Sequence, residues 1–232
     1  MKYLYKLTDE NGNSGLSACA VKTHWSEGIT HEIDKNLQSP DAFLCSSSFI
    51  HCYEHPLIAV FMNSRHGNFK SPILWKCKGK IEKKDGQLKC GTFSLTTIKK
   101  LPLPVLSTTQ RVKIAIYCSL TQKQSEKYKK WAMNWLNGKD RTYDAADATA
   151  AAAAYTATNA AAAHAAAAAA AADATYAAAA NAVFAAYAAA RAAAYDAAAA
   201  DTSYAAIAAA AHAANNFDLL KIIHKVLRQK ES

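Results

Sequence analysis

The chain has 232 residues and a net charge of +9, and alanine inflates its hydrophobic fraction of 51%. This length allows one ordinary core and an accessory element. Alanine is too weakly hydrophobic to hold a span in lipid, so the composition excludes a transmembrane helix. The first residues lack the apolar region of a signal peptide, which predicts a cytoplasmic protein.

The basic charge is concentrated in the first part of the chain. Residues 1–144 hold 22 Lys and Arg against 12 Asp and Glu, whereas residues 145–214 hold one Arg and four Asp. A basic domain favours an anionic partner, which could be nucleic acid, a nucleotide or an acidic protein. The six cysteines form no Cys-x-x-Cys pair, which is typical of reduced thiols in a cytoplasmic protein.

Residues 1–140 are predicted to form a basic, mixed, mainly antiparallel β domain with short helices, so that the chain belongs to the α+β class. Pro56 is suited to the first turn of a short buried helix, because its missing N–H group costs little there. Residues 97–106 contain two prolines, which predicts an extended segment at a sheet edge. Strands are predicted at residues 3–7, 49–53, 73–81 and 88–95, with a hairpin turn at residues 83–86.

Two helices are predicted to close this domain. Residues 107–110 resemble a capping box that opens a helix through Leu120. Residues 125–137 carry large apolar side chains at helical spacing, and Gly138 is expected to end that helix.

Residues 141–214 are predicted to form an alanine-rich, antiparallel helical arm. Alanine occupies 47 of the 70 positions from residue 145 to residue 214, without any glycine or proline, and it has the highest helix propensity. Polar clusters at residues 156–159, 173–175 and 201–203 could each start a new helix after a turn, giving two to four helices. The arm is expected to assemble homo-oligomers.

The arm's sparse large residues are expected to provide its packing. Tyr176, Phe184, Tyr187 and Tyr195 are related by offsets of eleven residues, which keeps them on one face of a nearly straight helix. Residues 215–232 are predicted to form an amphipathic helix that docks on the domain or on a second subunit.

Motifs with established chemistry are missing from the sequence. Cys45, His51, Cys52 and His55 carry zinc-ligand side chains, but adjacent residues on a strand face opposite sides, so no metal site is predicted. The chain contains no Walker A, GxGxxG, GxSxG or HExxH motif. We therefore assign no catalytic residue and no cofactor.

Two kinds of anion site are compatible with the basic side chains. The alternating lysines of residues 76–80, with Lys83 and Lys84, could form an edge for nucleic acid, but no helix-turn-helix or RNA-recognition signature accompanies them. Aromatic and basic residues near strand ends and loops instead favour a pocket that stacks on a base and pairs with a phosphate. The predicted ligand-binding residues are Trp25, His31, His51, Tyr53, Arg65, His66, Trp75 and Arg141.

Several runs of the chain resemble an uncharacterised family of phage and prophage proteins, which likewise ends in a long Ala/Tyr-rich tract. These runs are residues 44–45, 49–60, 74–75, 95–98, 101–104, 109–112 and 131–141, together with Asn63 and His66. A looser resemblance is to the ADP-ribosyltransferase-like fold, in which a strand ending in His or Tyr precedes a short helix, as in residues 51–60. The chain departs from that pattern because it lacks a convincing catalytic glutamate in the expected late strand.

The phage resemblance implies an accessory protein of the host cytoplasm. We expect a counter-defence protein that binds and sequesters a nucleotide-derived immune signal, either a cyclic dinucleotide or an ADP-ribose derivative, without cleaving it. One alternative is an ADP-ribosyltransferase-like enzyme acting on NAD. Another is a structural or host-protein-binding module assembled through the arm.

Overall fold

The computed structural model describes residues 3–15, 22–122, 124–142, 144–150, 152, 186–191, 193 and 218–229. The chain forms two compact units, Met1–Leu106 and Ser107–Ser232, and its class is α+β as predicted. The sequence instead placed the boundary at residue 140, after the two helices that follow the β-rich part. Those helices belong to the second unit because their apolar faces pack with alanines of the tract.

The first unit is built from antiparallel strands. The strands are β1 (Leu4–Thr8), β2 (Asn13–Ser14), β3 (Thr23–His24), β4 (Thr30–Glu32), β5 (Ile50–Cys52), β6 (Ile73–Gly79), β7 (Lys83–Asp85), β8 (Lys89–Thr92) and β9 (Ser94–Leu101). One sheet has the order β1-β6-β9-β4, a second has the order β5-β8-β7, and β2 pairs with β3.

Glycine and proline positions explain one hairpin turn and the end of one strand. The predicted hairpin joins β7 to β8, and Gly86 adopts a φ of 50° that favours glycine. The prediction of a sheet edge at residues 97–106 agrees with the pairing of β9, because β4 pairs only with residues 94–96 and residues 99–101 pair with β6 alone among the described strands. The strand ends at Leu101, so Pro102 and Pro104 follow it and remove no hydrogen bond from the ladder.

A short backbone bridge joins the two larger sheets. Tyr5 and Tyr53 exchange two N–H···O hydrogen bonds of 2.8 Å. Leu4, Trp25, Trp75 and Leu95 pack together in one buried core of this unit. Helix α1 (Pro56–His66) follows with Pro56 in its first turn as predicted, and residues Ile58–Met62 are its buried part.

The second unit contains α2 (Thr108–Leu120), α3 (Glu126–Leu136) and a C-terminal helix (Leu219–Leu227). Both hydrogen bonds of the predicted capping box are present, since the Ser107 side chain accepts from Gln110 N and the Gln110 side chain accepts from Ser107 N. Gly138 follows α3 with a φ of 71°, as expected of a helix-ending glycine. The C-terminal helix packs against α2.

The described parts of the alanine tract, residues 144–150 and 186–191, are helical. Their alanines share one core with Trp131 and Trp135 of α3. Tyr187 is half-buried, and its hydroxyl accepts a 3.0 Å hydrogen bond from Arg191. The other members of the predicted stripe, the polar turn clusters and the arm's helix count lie outside the described residues. No helix within the described ranges is long and apolar enough to cross a membrane.

Replacing Ser107 with alanine tests the start of α2. Ser107→Ala removes the side-chain acceptor, and we expect the free energy of unfolding to fall by about 1 kcal/mol in urea denaturation. Ser107→Asp keeps an acceptor oxygen at the same position and is expected to retain most of that stability. Equal losses in the two variants would show that α2 does not depend on this hydrogen bond.

Candidate functional site

The first unit contains a cavity of about 620 Å³. This volume falls within the range of about 300–1,000 Å³ that is usual for small-molecule sites. Its wall is formed by residues of β1, β2, β3, β4, β5 and β8, of the last turn of α1 and of the loops beside them. Strands that are distant in sequence therefore place their polar side chains around one space.

Six of the eight predicted ligand-binding residues lie on this wall: Trp25, His31, His51, Tyr53, Arg65 and His66. Trp75 does not line it. Trp75 is a core residue whose indole N–H donates a 3.0 Å hydrogen bond to Thr8 Oγ1. Arg141 belongs to the second unit, where its Nε donates to the Trp135 carbonyl and its guanidinium lies 4.9 Å from the centre of the Trp135 ring.

Two buried lysines also line the cavity, and each is only 7% exposed. Lys6 Nζ donates a 3.1 Å hydrogen bond to the His51 carbonyl and lies 4.7 Å from the centre of the Trp25 ring. Burial lowers the pKa of Lys6. Lys89 Nζ lies 2.8 Å from Cys45 Sγ. Among the described residues, ion pairs join other lysines to carboxylates, at Lys80, Lys84 and Lys129.

Two histidines of the wall, His51 and His66, have lowered pKa values and are neutral at pH 7. Burial, assisted by the nearby charge of Lys89, lowers the pKa of His66 to about 4. Burial also lowers the pKa of His51, although the hydrogen bond to the Leu44 carbonyl opposes that shift. The other basic side chains of the wall are Lys6, Lys89 and Arg65, and its acidic side chain is Glu32.

Aromatic rings supply the apolar surfaces of the site. Trp25 meets His31 edge to face, with 4.5 Å between ring centres, and its indole N–H is bonded to Ser14 Oγ at 2.8 Å. The Tyr53 and His66 rings are stacked with 5.9 Å between centres, and Tyr53 OH lies 3.1 Å from His66 Nδ1. Phe49 and Phe69 complete the aromatic lining. Planar groups can pack against such faces.

The end of α1 is held by Asn63. Its side chain donates to the Phe69 carbonyl at 2.8 Å and accepts from the Phe69 N–H at 3.2 Å. Asn68, between them, adopts a φ of 52°, which asparagine tolerates better than most residues. This closed turn fixes the last turn of α1, which carries Arg65 and His66 to the cavity.

The other sequence clusters have local roles. Within the described ranges, no group of three or more His, Cys, Asp or Glu side chains is arranged to hold a metal ion. Cys52 instead contacts Cys90, with 3.3 Å between sulfur atoms, and His55 Nδ1 accepts from Leu57 N at the start of α1. Of the predicted lysine edge, Lys83 donates to loop carbonyls and Lys84 pairs with Glu54 at 2.9 Å.

Sequence reasoning missed Lys6, Lys89 and the partnership of Lys89 with Cys45. The sequence carried a weak sign that these lysines are buried, because both interrupt apolar segments that are predicted as strands. An exposed lysine on an alternating strand gives the same pattern, so burial could not be read from it.

Comparison with known proteins adds no assignment. No protein-family model, curated protein or solved structure matches the chain. The phage-family and ADP-ribosyltransferase-like resemblances therefore stay predictions, and a functional proposal depends on the chemistry of the cavity.

The low pKa of His66 predicts a pH dependence of stability. Its folded pKa of about 4 lies below the unfolded value of about 6.5, so the unfolded chain binds more protons between those values. Stability present above pH 6.5 should fall as the pH drops to about 4, by up to about 3 kcal/mol. Urea denaturation at several pH values should show a smaller decline in His66→Gln.

The control for this measurement is His24→Gln, which removes an exposed histidine of the same unit. It should leave the pH profile as in the wild type. Identical profiles for the wild type and His66→Gln would contradict the assignment of this titration to His66.

Proposed function

We propose that the first unit binds a nucleotide-type small molecule and holds it without cleaving it. The observation that carries this proposal is the pair of buried lysines, Lys6 and Lys89, on the wall of one cavity. Neither has a carboxylate within ion-pair distance among the described residues. A buried ammonium group without a countercharge is unfavourable, and a bound anion offsets that penalty.

Phosphate is the anion that best suits these cations. Lys89 and Arg65 can both donate charge-assisted hydrogen bonds to phosphate oxygens. Lys6 has a lowered pKa because of burial, and a phosphate beside it would favour its protonated form again. Binding should therefore be coupled to uptake of a proton at alkaline pH.

The aromatic lining suits the other half of a nucleotide. Trp25, Tyr53 and Phe69 provide apolar ring surfaces around the same space that holds the cations. A base stacked on such a ring gains about 1–3 kcal/mol in single-stranded nucleic-acid complexes, which gives the scale for one base here. Cyclic dinucleotides and ADP-ribose derivatives combine planar bases with phosphates, and they are the ligands that we propose.

In this proposal, sequestration of such a signal serves phage counter-defence, and the helical arm assembles the subunits. The phage assignment is supported by the sequence resemblance alone. The binding proposal does not depend on it, because it is argued from the charges and rings of the cavity.

Isothermal titration of the full chain with cyclic dinucleotides and ADP-ribose tests the binding proposal. We expect the protein to bind the phosphorylated ligands and to bind adenosine only weakly. Lys89→Met keeps the aliphatic packing but deletes the charge, and it should weaken binding by about 10-fold or more, as expected for a lost hydrogen bond between charged groups. Titration in buffers of different ionisation enthalpy should reveal proton uptake that Lys6→Met abolishes.

Lys100→Met is the matched control, because Lys100 is exposed and lies outside the cavity lining. It should bind as tightly as the wild type. Failure of every phosphorylated ligand to bind would overturn the proposal and favour a structural or host-protein-binding role. Release of nicotinamide from NAD would instead favour the enzymatic alternative, for which Glu32 is the acidic residue on the cavity wall.

A further inference from the structure

Cys45 and Lys89 form an unusual pair at the cavity wall. Cys45 is exposed and lines the cavity, while Lys89 is more than nine-tenths buried. Only 2.8 Å separates Cys45 Sγ from Lys89 Nζ. The other cysteines of the described residues, Cys52, Cys77, Cys90 and Cys118, are buried.

The loop that carries Cys45 is held in place from several directions. Lys83 Nζ donates hydrogen bonds of 2.7–3.3 Å to the carbonyls of Pro40, Asp41 and Ala42. The Leu44 carbonyl is bonded to the His51 ring. Leu44 also packs where Gly91 has no side chain, since a Cβ there would lie 2.6 Å from Leu44 Cδ1. These contacts fix the thiol beside the amine.

An ammonium group beside a solvent-accessible thiol stabilises the thiolate, which is the reactive form of cysteine. Thiolates react with peroxides to give sulfenic acids, and a sulfenic acid condenses with a nearby nitrogen to a sulfenamide. We propose that Cys45 and Lys89 form a peroxide-reactive modification site, in which oxidation links Cys45 Sγ to Lys89 Nζ through a sulfenamide bond.

The reaction balances with one hydrogen peroxide. The Cys45 thiolate attacks one peroxide oxygen, so that an S–O bond forms, the O–O bond breaks and the departing hydroxide takes up the thiol proton as water. Lys89, as the free amine after loss of a proton to solvent, attacks the sulfur. The S–N bond forms, the S–O bond breaks, and the hydroxyl group leaves as a second water after taking one proton from the amine nitrogen. Sulfur is oxidised by two electrons and the peroxide is reduced.

The link removes the ammonium charge of Lys89 from the cavity wall. Formation of the link requires only the loop geometry and a peroxide, so this proposal does not depend on whether the cavity binds a nucleotide. If the cavity does bind one, the oxidised protein should bind it as weakly as Lys89→Met does. A reductant should restore the thiol and the amine.

Mass spectrometry of the full chain in a Cys19→Ser background tests the site, because Cys19 lies outside the described residues. After hydrogen peroxide treatment, we expect an intact mass lower by two hydrogen atoms and a peptide in which Cys45 is joined to Lys89. Dithiothreitol should reverse both changes. This measurement on otherwise unaltered protein needs no substitution in the cavity.

Two variants separate the steps. Lys89→Arg keeps a cation beside the thiol but offers a poorly nucleophilic guanidinium, so dimedone should trap the Cys45 sulfenic acid and no link should form. Cys45→Ser should show neither product. Equal trapping of the sulfenic acid by dimedone in the Cys19→Ser protein and in Lys89→Arg, without any linked peptide, would overturn the proposal. So would resistance of Cys45 to peroxide concentrations that oxidise a free cysteine.

Discussion

The burial of two lysine side chains in one wall is the constraint around which the first unit is organised. An ammonium group removed from water loses several kcal/mol of hydration, and the surrounding structure must replace those contacts. Lys6 donates a hydrogen bond to a backbone carbonyl and lies over the face of Trp25, whereas Lys89 contacts a thiol. These are weaker partners than a carboxylate, so the wall keeps an excess of positive potential that points into the cavity.

Strand pairing explains why these charges meet. Lys6 is on β1 and Lys89 opens β8, and the bridge between Tyr5 and Tyr53 brings β1 to the end of β5, which pairs with β8. Lys6 shares a strand face with the buried residues Leu4 and Thr8, because alternate side chains of a strand point the same way. Neither lysine could be solvated without shifting a strand by one residue and exposing that buried face.

The sequence predicted the rings and histidines of the site better than its charges. Trp25, His51, Tyr53 and His66 could be found because aromatic and imidazole groups near strand ends are rare and chemically distinctive. Lysines are common on exposed strands, so the burial of Lys6 and Lys89 depends on pairing between distant strands. Trp75 satisfied the same pattern as Trp25, but of these two core residues only Trp25 also lines the cavity. Helix starts at Pro56 and Ser107 were predictable because capping depends on neighbours in sequence.

Neutral histidines and buried cations together make the electrostatic potential of the cavity depend on the charge of one side chain. Since His51 and His66 stay uncharged at pH 7, they cannot compensate for a lost lysine charge. Burial opposes the charge of Lys6, and the other two basic side chains of the wall are Lys89 and Arg65. Of these two, Lys89 contacts the exposed thiol of Cys45. The oxidation proposed for Cys45 would remove the charge of Lys89 from the cavity wall, so the thiol is positioned to act on the charge that an anionic ligand would require.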